Sequence, residues 1–179
     1  MNRAAKIATG VSVLVVLGLV ALITPLVMPL VVPVLPHSVQ DALGGTIDTV
    51  PGTVDELFAQ TGLGEDGQYG DSKVTHAEVD EEYVVAATIW PWSLPPGWKF
   101  PKSRGAADTP GYHWNGMGVK AAFSIWAAAS LEAVKAGQLS TTDANELLDS
   151  VEAAYEALLD EGVLTDRGFI AESVTPLRP

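Results

Sequence analysis

Four patterns of apolar and polar positions organise this chain. The first is an uncharged apolar run over residues 7–35, entered from Arg3 and Lys6. As a helix, residues 7–24 would rise about 27 Å at about 1.5 Å per residue, close to the roughly 30 Å hydrocarbon core of a bilayer. Pro25, Pro29, Pro33 and Pro36 then interrupt the run. Each lacks an N–H and crowds the carbonyl four residues earlier, so together they are expected to end the helix. The side chains between them, Leu26, Val27, Leu30 and Val31 among them, stay as apolar as lipid. Irregular backbone at membrane depth survives only where protein or a wet cavity satisfies its polar groups. The strip is therefore either a stiff spacer in the headgroup region or a surface packed against a neighbouring membrane subunit.

The second pattern is short. Thr53-Val54-Asp55-Glu56 reads as a capping box ahead of Leu57 and Phe58, and Gly62 is placed to close the helix. Gly-rich sequence follows to Gly70. The third lies over residues 71–89, where His76, Glu78, Asp80 and Glu82 alternate with Ala77, Val79, Glu81, Tyr83, Val85, Ala87 and Ile89. Period-two alternation predicts a strand or hairpin with one polar face.

The fourth pattern is a helical pair. Leu147, Leu148, Val151, Ala154, Tyr155, Leu158 and Leu159 recur at helical spacing, opposite Asp149, Glu152, Glu156 and Asp160. Ser140, Thr141 and Thr142 supply N-cap chemistry, and Gly162 a stop. Residues 119–136 are apolar nearly all round, which predicts a helix buried on most sides. Lys120 and Glu132 lie too close together to leave a bilayer-length apolar span between them. Gly137-Gln138-Leu139 turns this helix into the next.

These patterns predict an α+β, mainly α protein: a single N-terminal transmembrane helix and a small extracytoplasmic domain with a helical hairpin and a short strand or hairpin. Residues 1–36 form the anchor with its Pro-rich extension, and 37–70 a linker with one short helix. The domain proper is 71–179, made of a strand region (71–89), an aromatic, Pro-rich connector (90–118), a helical pair (119–162) and a tail (163–179). The run is longer than a signal-peptide core and ends without an Ala-x-Ala-like site, so an uncleaved anchor is expected. Arg3 and Lys6 before the run, with Asp41 the first charge after it, place the N-terminus in the cytoplasm.

Charge narrows the function classes. The chain carries 22 acidic against 10 basic residues, a formal net charge of −12. Nucleic-acid binding calls for a basic stripe and is excluded as an expectation, and repulsion from anionic headgroups favours a domain that stands off the membrane. With no cysteine, neither disulfides nor cysteine nucleophiles enter. The Ala-, Val- and Gly-rich, Lys-poor composition is compatible with a bacterial cell-envelope protein.

Candidate chemistry is sparse. A strand face holding His76, Glu78, Asp80 and Glu82 offers ligands to a hard cation, but a half-solvated acidic strand explains it as well. Glu65, Asp66 and Asp71 do not follow the EF-hand spacing. No hydrolase elbow, phosphate loop, dinucleotide fingerprint or zincin motif is present. His113, between Tyr112 and Trp114, is the one residue considered for acid–base work. No metal, cofactor or catalytic residue is expected.

Trp90, Trp92, Trp98 and Trp114 gather in the connector with Phe100 and Tyr112. Three readings stay open: a lid on the helical pair, an anchor for a protein partner, or a stacking surface for an envelope polymer. The expectation is a non-catalytic, single-pass accessory or structural subunit of a larger envelope membrane complex. It would meet the membrane and an integral membrane protein partner through Leu26, Val27, Leu30, Val31, Trp92 and Trp98. The alternative is an independent polymer- or ligand-binding module that uses the Trp-rich loop.

Overall fold

The computed structural model describes residues 44–63, 69–105 and 113–178. The expected membrane helix, its Pro-rich extension, and Leu26, Val27, Leu30 and Val31 lie outside the described residues. What is described is a mainly helical α+β fold with two small two-stranded sheets.

β1 (Thr46–Ile47) pairs antiparallel with β3 (Phe100–Pro101), and β2 (Lys73–Val74) with β4 (His113–Trp114). Both sheets join distant parts of the chain and fix where each connector begins and ends. Between them come the helices α1 (Val54–Gln60) and α2 (His76–Thr88), then the hairpin of α3 (Met117–Lys135) and α4 (Thr141–Asp160). One π-helical turn (Ile170–Val174) and a 3-10 turn (Thr175–Leu177) follow.

Local chemistry sets the ends of these helices. In α1 the Thr53 hydroxyl accepts from Glu56 N at 3.1 Å, while Glu56 Oε2 accepts from Thr53 N at 3.0 Å. That is the expected capping box, and Gly62 follows the C-cap at φ +68°. Ser140 caps α4 by accepting from Asp143 N at 3.1 Å. Gly137 and Gly162, both at positive φ, close α3 and α4.

The strand expected over residues 71–89 is corrected by the structure. Only Lys73–Val74 is extended, and His76–Thr88 is helical. Thr75 and Glu78 form a second capping box, with Thr75 N donating to Glu78 Oε2 at 2.6 Å and Glu78 N to Thr75 Oγ1 at 3.3 Å. The buried face is Val79, Tyr83, Ala86 and Ala87, continued by Trp90, at helical rather than period-two spacing. Alternation of charge at 76, 78, 80 and 82 is incidental to that face. At the far end, Val50 N and Gly52 N donate to the carbonyls of Thr88 and Ile89 at 2.8 and 3.1 Å, and Thr49 Oγ1 to that of Ala87 at 2.8 Å. These bonds satisfy acceptors that a helix end leaves open.

α3 is the centre of the core and packs on both α2 and α4. By length and composition it could cross a bilayer, yet half of it is buried within the domain. Trp126, Phe123 and Val119 on α3 meet Leu148, Val151 and Leu158 on α4 in one cluster. The apolar stripe expected on α4 is buried, with only Leu159 partly exposed. The tail folds back across α4, where Arg178 reaches Asp149 at 2.7 Å and Glu152 at 2.5 Å.

Candidate functional site

The aromatic connector closes the core. Trp90 has no exposed surface, and its ring lies 4.9 Å from Trp92, 5.3 Å from Trp126 and 5.6 Å from Phe100 between centroids. Trp98 sits edge-on to Phe100 at 4.8 Å. Trp126 Nε1 donates to the carbonyl of Ser93 at 2.9 Å, fastening the connector to α3. Trp92 and Trp98 are thus half-buried members of an aromatic cluster. Trp114 is more exposed, at 43%, and carries Lys73 Nζ over its ring at 5.8 Å. Tyr112 lies outside the described residues.

Folding residues 76–88 as a helix splits the four-residue polar face expected of a strand. On a helix, positions four apart are neighbours. His76 therefore pairs with Asp80, and Glu78 with Glu82 on another side. Among the described residues no group of three or more histidine and acidic side chains is placed to hold a metal ion.

On the first side, His76 Nδ1 lies 3.1 Å from Asp80 Oδ2. Arg104, beyond β3, donates through Nε to Asp80 Oδ1 at 2.5 Å and through its terminal nitrogen to His76 Nε2 at 2.8 Å. The Arg104 side chain is 9% exposed and Asp80 48%, so the network runs from a buried guanidinium to a half-exposed carboxylate. His113 on β4 stands edge-on to the His76 ring at 5.5 Å, and its Nε2 is buried without a hydrogen-bond partner among the described residues. Both histidines stand out in the sequence, but Arg104 does not, because its link to His76 is made only by the path of the chain through β3.

The second side is a shallow groove of about 270 Å³ between the end of α1, β2 and α2. Glu78, Glu81, Glu82, Gln60 and Asn115 line it. Glu82 is the unusual member. Its Oε2 accepts from Gly118 N at 3.2 Å and its Oε1 from Val119 N at 3.4 Å. The N-cap of α3 is Gly116, at φ +84°, which has no side chain to cap with. α2 therefore supplies the cap from outside the helix. Burial pushes the Glu82 carboxyl up to about 7, and the amides of Gly118, Val119 and Gly116 hold it from rising further.

Gly118 makes this approach feasible. A Cβ there would lie 2.5 Å from Tyr83 N and 2.7 Å from Val79 O, both backbone atoms of α2. Tyr83 also donates its buried hydroxyl to the carbonyl of Pro101 at 2.8 Å, joining α2 to β3, and burial raises its phenol above the ordinary value. The sequence signal for the approach was Gly116-Met117-Gly118 ahead of an apolar helix.

Chemically, the described part offers a proton-binding carboxyl in a shallow groove and a histidine held between a carboxylate and a guanidinium. Compared with protein-family models, curated proteins and solved structures, the chain matches none.

Proposed function

We propose that this protein is a non-catalytic, single-pass accessory or structural subunit of a larger cell-envelope membrane complex, with its folded domain outside the cytoplasm. The observation that carries this reading is the uncharged run over residues 7–35, apolar apart from Thr9, Ser12 and Thr24 and broken by proline in its second half. At membrane depth such a segment persists only where protein or a wet cavity satisfies its backbone, and a neighbouring subunit would do so here. Leu26, Val27, Leu30 and Val31 are the side chains through which an integral membrane partner would hold it.

The domain's build agrees with a supporting role. Its largest aromatic side chains are spent on its own core, which leaves the Trp-rich connector little free ring surface for stacking on a polymer. Trp92 and Trp98 are half-buried in that core, so the Pro-rich strip is the principal attachment.

The test is gentle detergent extraction of the tagged full-length chain from its native membrane, analysed by native gel and mass spectrometry. A chimera carrying residues 37–179 on an unrelated membrane helix runs in parallel. Comigration with large membrane proteins, lost in the chimera, is the expected result. A lone 18.8 kDa chain in the wild-type sample overturns the reading.

A further inference from the structure

We infer that Glu82 is a proton-operated cap on α3: ionised, it holds the amides of both Gly118 and Val119; protonated, it loosens its hold on Val119 and turns an O–H into the groove. Gly116 is the N-cap of α3, so Gly118 and Val119 are its second and third helical residues. Theirs are the N–H groups that a capping side chain ordinarily satisfies. Glu82 of α2 takes that place, with Oε2 accepting from Gly118 N at 3.2 Å and Oε1 from Val119 N at 3.4 Å. Both oxygens accept, which is the pattern of a carboxylate. A protonated carboxyl keeps one carbonyl oxygen and makes the other a donor. An N–H cannot receive that donor, so the proton must point away from the amides. The longer contact, to Val119, is the one to yield.

The surroundings of Glu82 leave the backbone amides as its counter-charge. In the groove, α2 adds Glu78 and Glu81, the end of α1 adds neutral Gln60 and Thr61, β2 adds Val74, and Asn115 precedes α3. From α3, Lys120 turns its ammonium over the Tyr69 ring, 5.5 Å from the centroid. Tyr69 itself faces Glu82, since burial first and then the Glu82 charge raise its phenol above the ordinary value. The amides of Gly118, Val119 and Gly116 favour the carboxylate, and burial opposes it more strongly, pushing the group up to about 7. Two opposite consequences follow as pH rises through that value. The cap on the first turn of α3 tightens, while the domain as a whole loses the stability tied to the bound proton. A buried acid without those amides would show only the second.

Carbon-13 and nitrogen-15 NMR of the full-length chain in detergent micelles reads proton and cap separately. The Glu82 side-chain carboxyl carbon gives the protonation midpoint, expected at about 7. The Gly118 and Val119 amide protons give the cap. As pH rises both should move downfield with the midpoint of the carboxyl, Val119 the further of the two. In Glu82→Gln, whose amide does not titrate, these shifts should be lost, while Glu81→Gln, exposed on the same helix, should keep them. A Glu82 carboxyl that titrates near the ordinary 4.5 overturns the proposal. So do amide protons that stay still while the carboxyl titrates, shifts that persist in Glu82→Gln, or shifts that vanish in Glu81→Gln. The carboxyl and amide midpoints are both read in the wild-type chain, so the test stands even if Glu82→Gln fails to fold.

Discussion

The two sides of α2 hold charge in opposite ways. At the His76 side a carboxylate, a guanidinium and an imidazole satisfy one another, with Arg104 forming two of the hydrogen bonds. At the Glu82 side a single carboxyl is buried against backbone amides, and burial outweighs the hold of those amides. Helix-terminal amides favour an anion but carry only partial charge, so they do not repay the loss of water. The result is a carboxyl that remains protonated up to about pH 7. One helix thus carries an ion pair organised by Arg104 and a cap that is most comfortable as a neutral acid.

The largest expected effect breaks the Glu82 side. Gly118→Ala drives a Cβ into the backbone of α2, and neither helix can yield without losing the Glu82 bonds. The substitution should cost about 3 kcal/mol, the upper range for overpacking, measured by urea unfolding. A loss under about 1 kcal/mol would mean that α3 can shift without consequence and that the close approach is not required.

Arg104→Ala removes the organiser of the other side. It should cost about 2 kcal/mol, less than a fully buried broken pair, because Asp80 is half exposed and can regain water. The same urea series measures it. A neutral result would place the network among surface pairs that contribute little.

The pH response sharpens the contrast. The Glu82 carboxyl binds its proton more tightly in the folded chain, at about 7 against 4.5 for the free group. The folded state then holds more protons between those values, and stability from this group falls as pH rises through the window. Below about pH 4.5 its contribution is fully present, and above the folded value it is lost. Glu82→Gln removes the titration while keeping one acceptor for the amides. Relative to wild type the variant should gain roughly 1 to 2 kcal/mol at pH 8, since each tenfold change in proton affinity is worth about 1.36 kcal/mol and the lost acceptor offsets part of the gain. Melting temperatures of both proteins across pH 4 to 8 test this; parallel curves would refute it.

The smallest effect acts on both sides at once. Thr75→Ala removes the hydroxyl that caps α2 and should cost about 1 kcal/mol. The pH profile of stability that Glu82 sets should keep its form. A change in that profile would show that the first turn of α2 serves the Glu82 side specifically.

Much of the fold was legible because its signals are local. The Thr53 box, the apolar stripe of α4, and the stops at Gly62, Gly137 and Gly162 each depend on residues within a few positions of one another. Thr75-x-x-Glu78 carried the same kind of signal for α2, but the period-two charges obscured it. Local sequence therefore contained the helix even where the alternation argued for a strand.

By itself the sequence determined the acidic charge, the apolar run over residues 7–35, the capped helices and the buried character of α3, since composition and short-range periodicity set all of these. Tertiary structure alone decided that Trp90 would fill the core, that Arg104 would reach His76, and that Glu82 would cap a helix that begins only at Met117. Those contacts depend on where β3 and β4 lead the connectors, and on Gly118 letting two backbones meet. No periodicity along the chain encodes the distance between residues that only folding brings together.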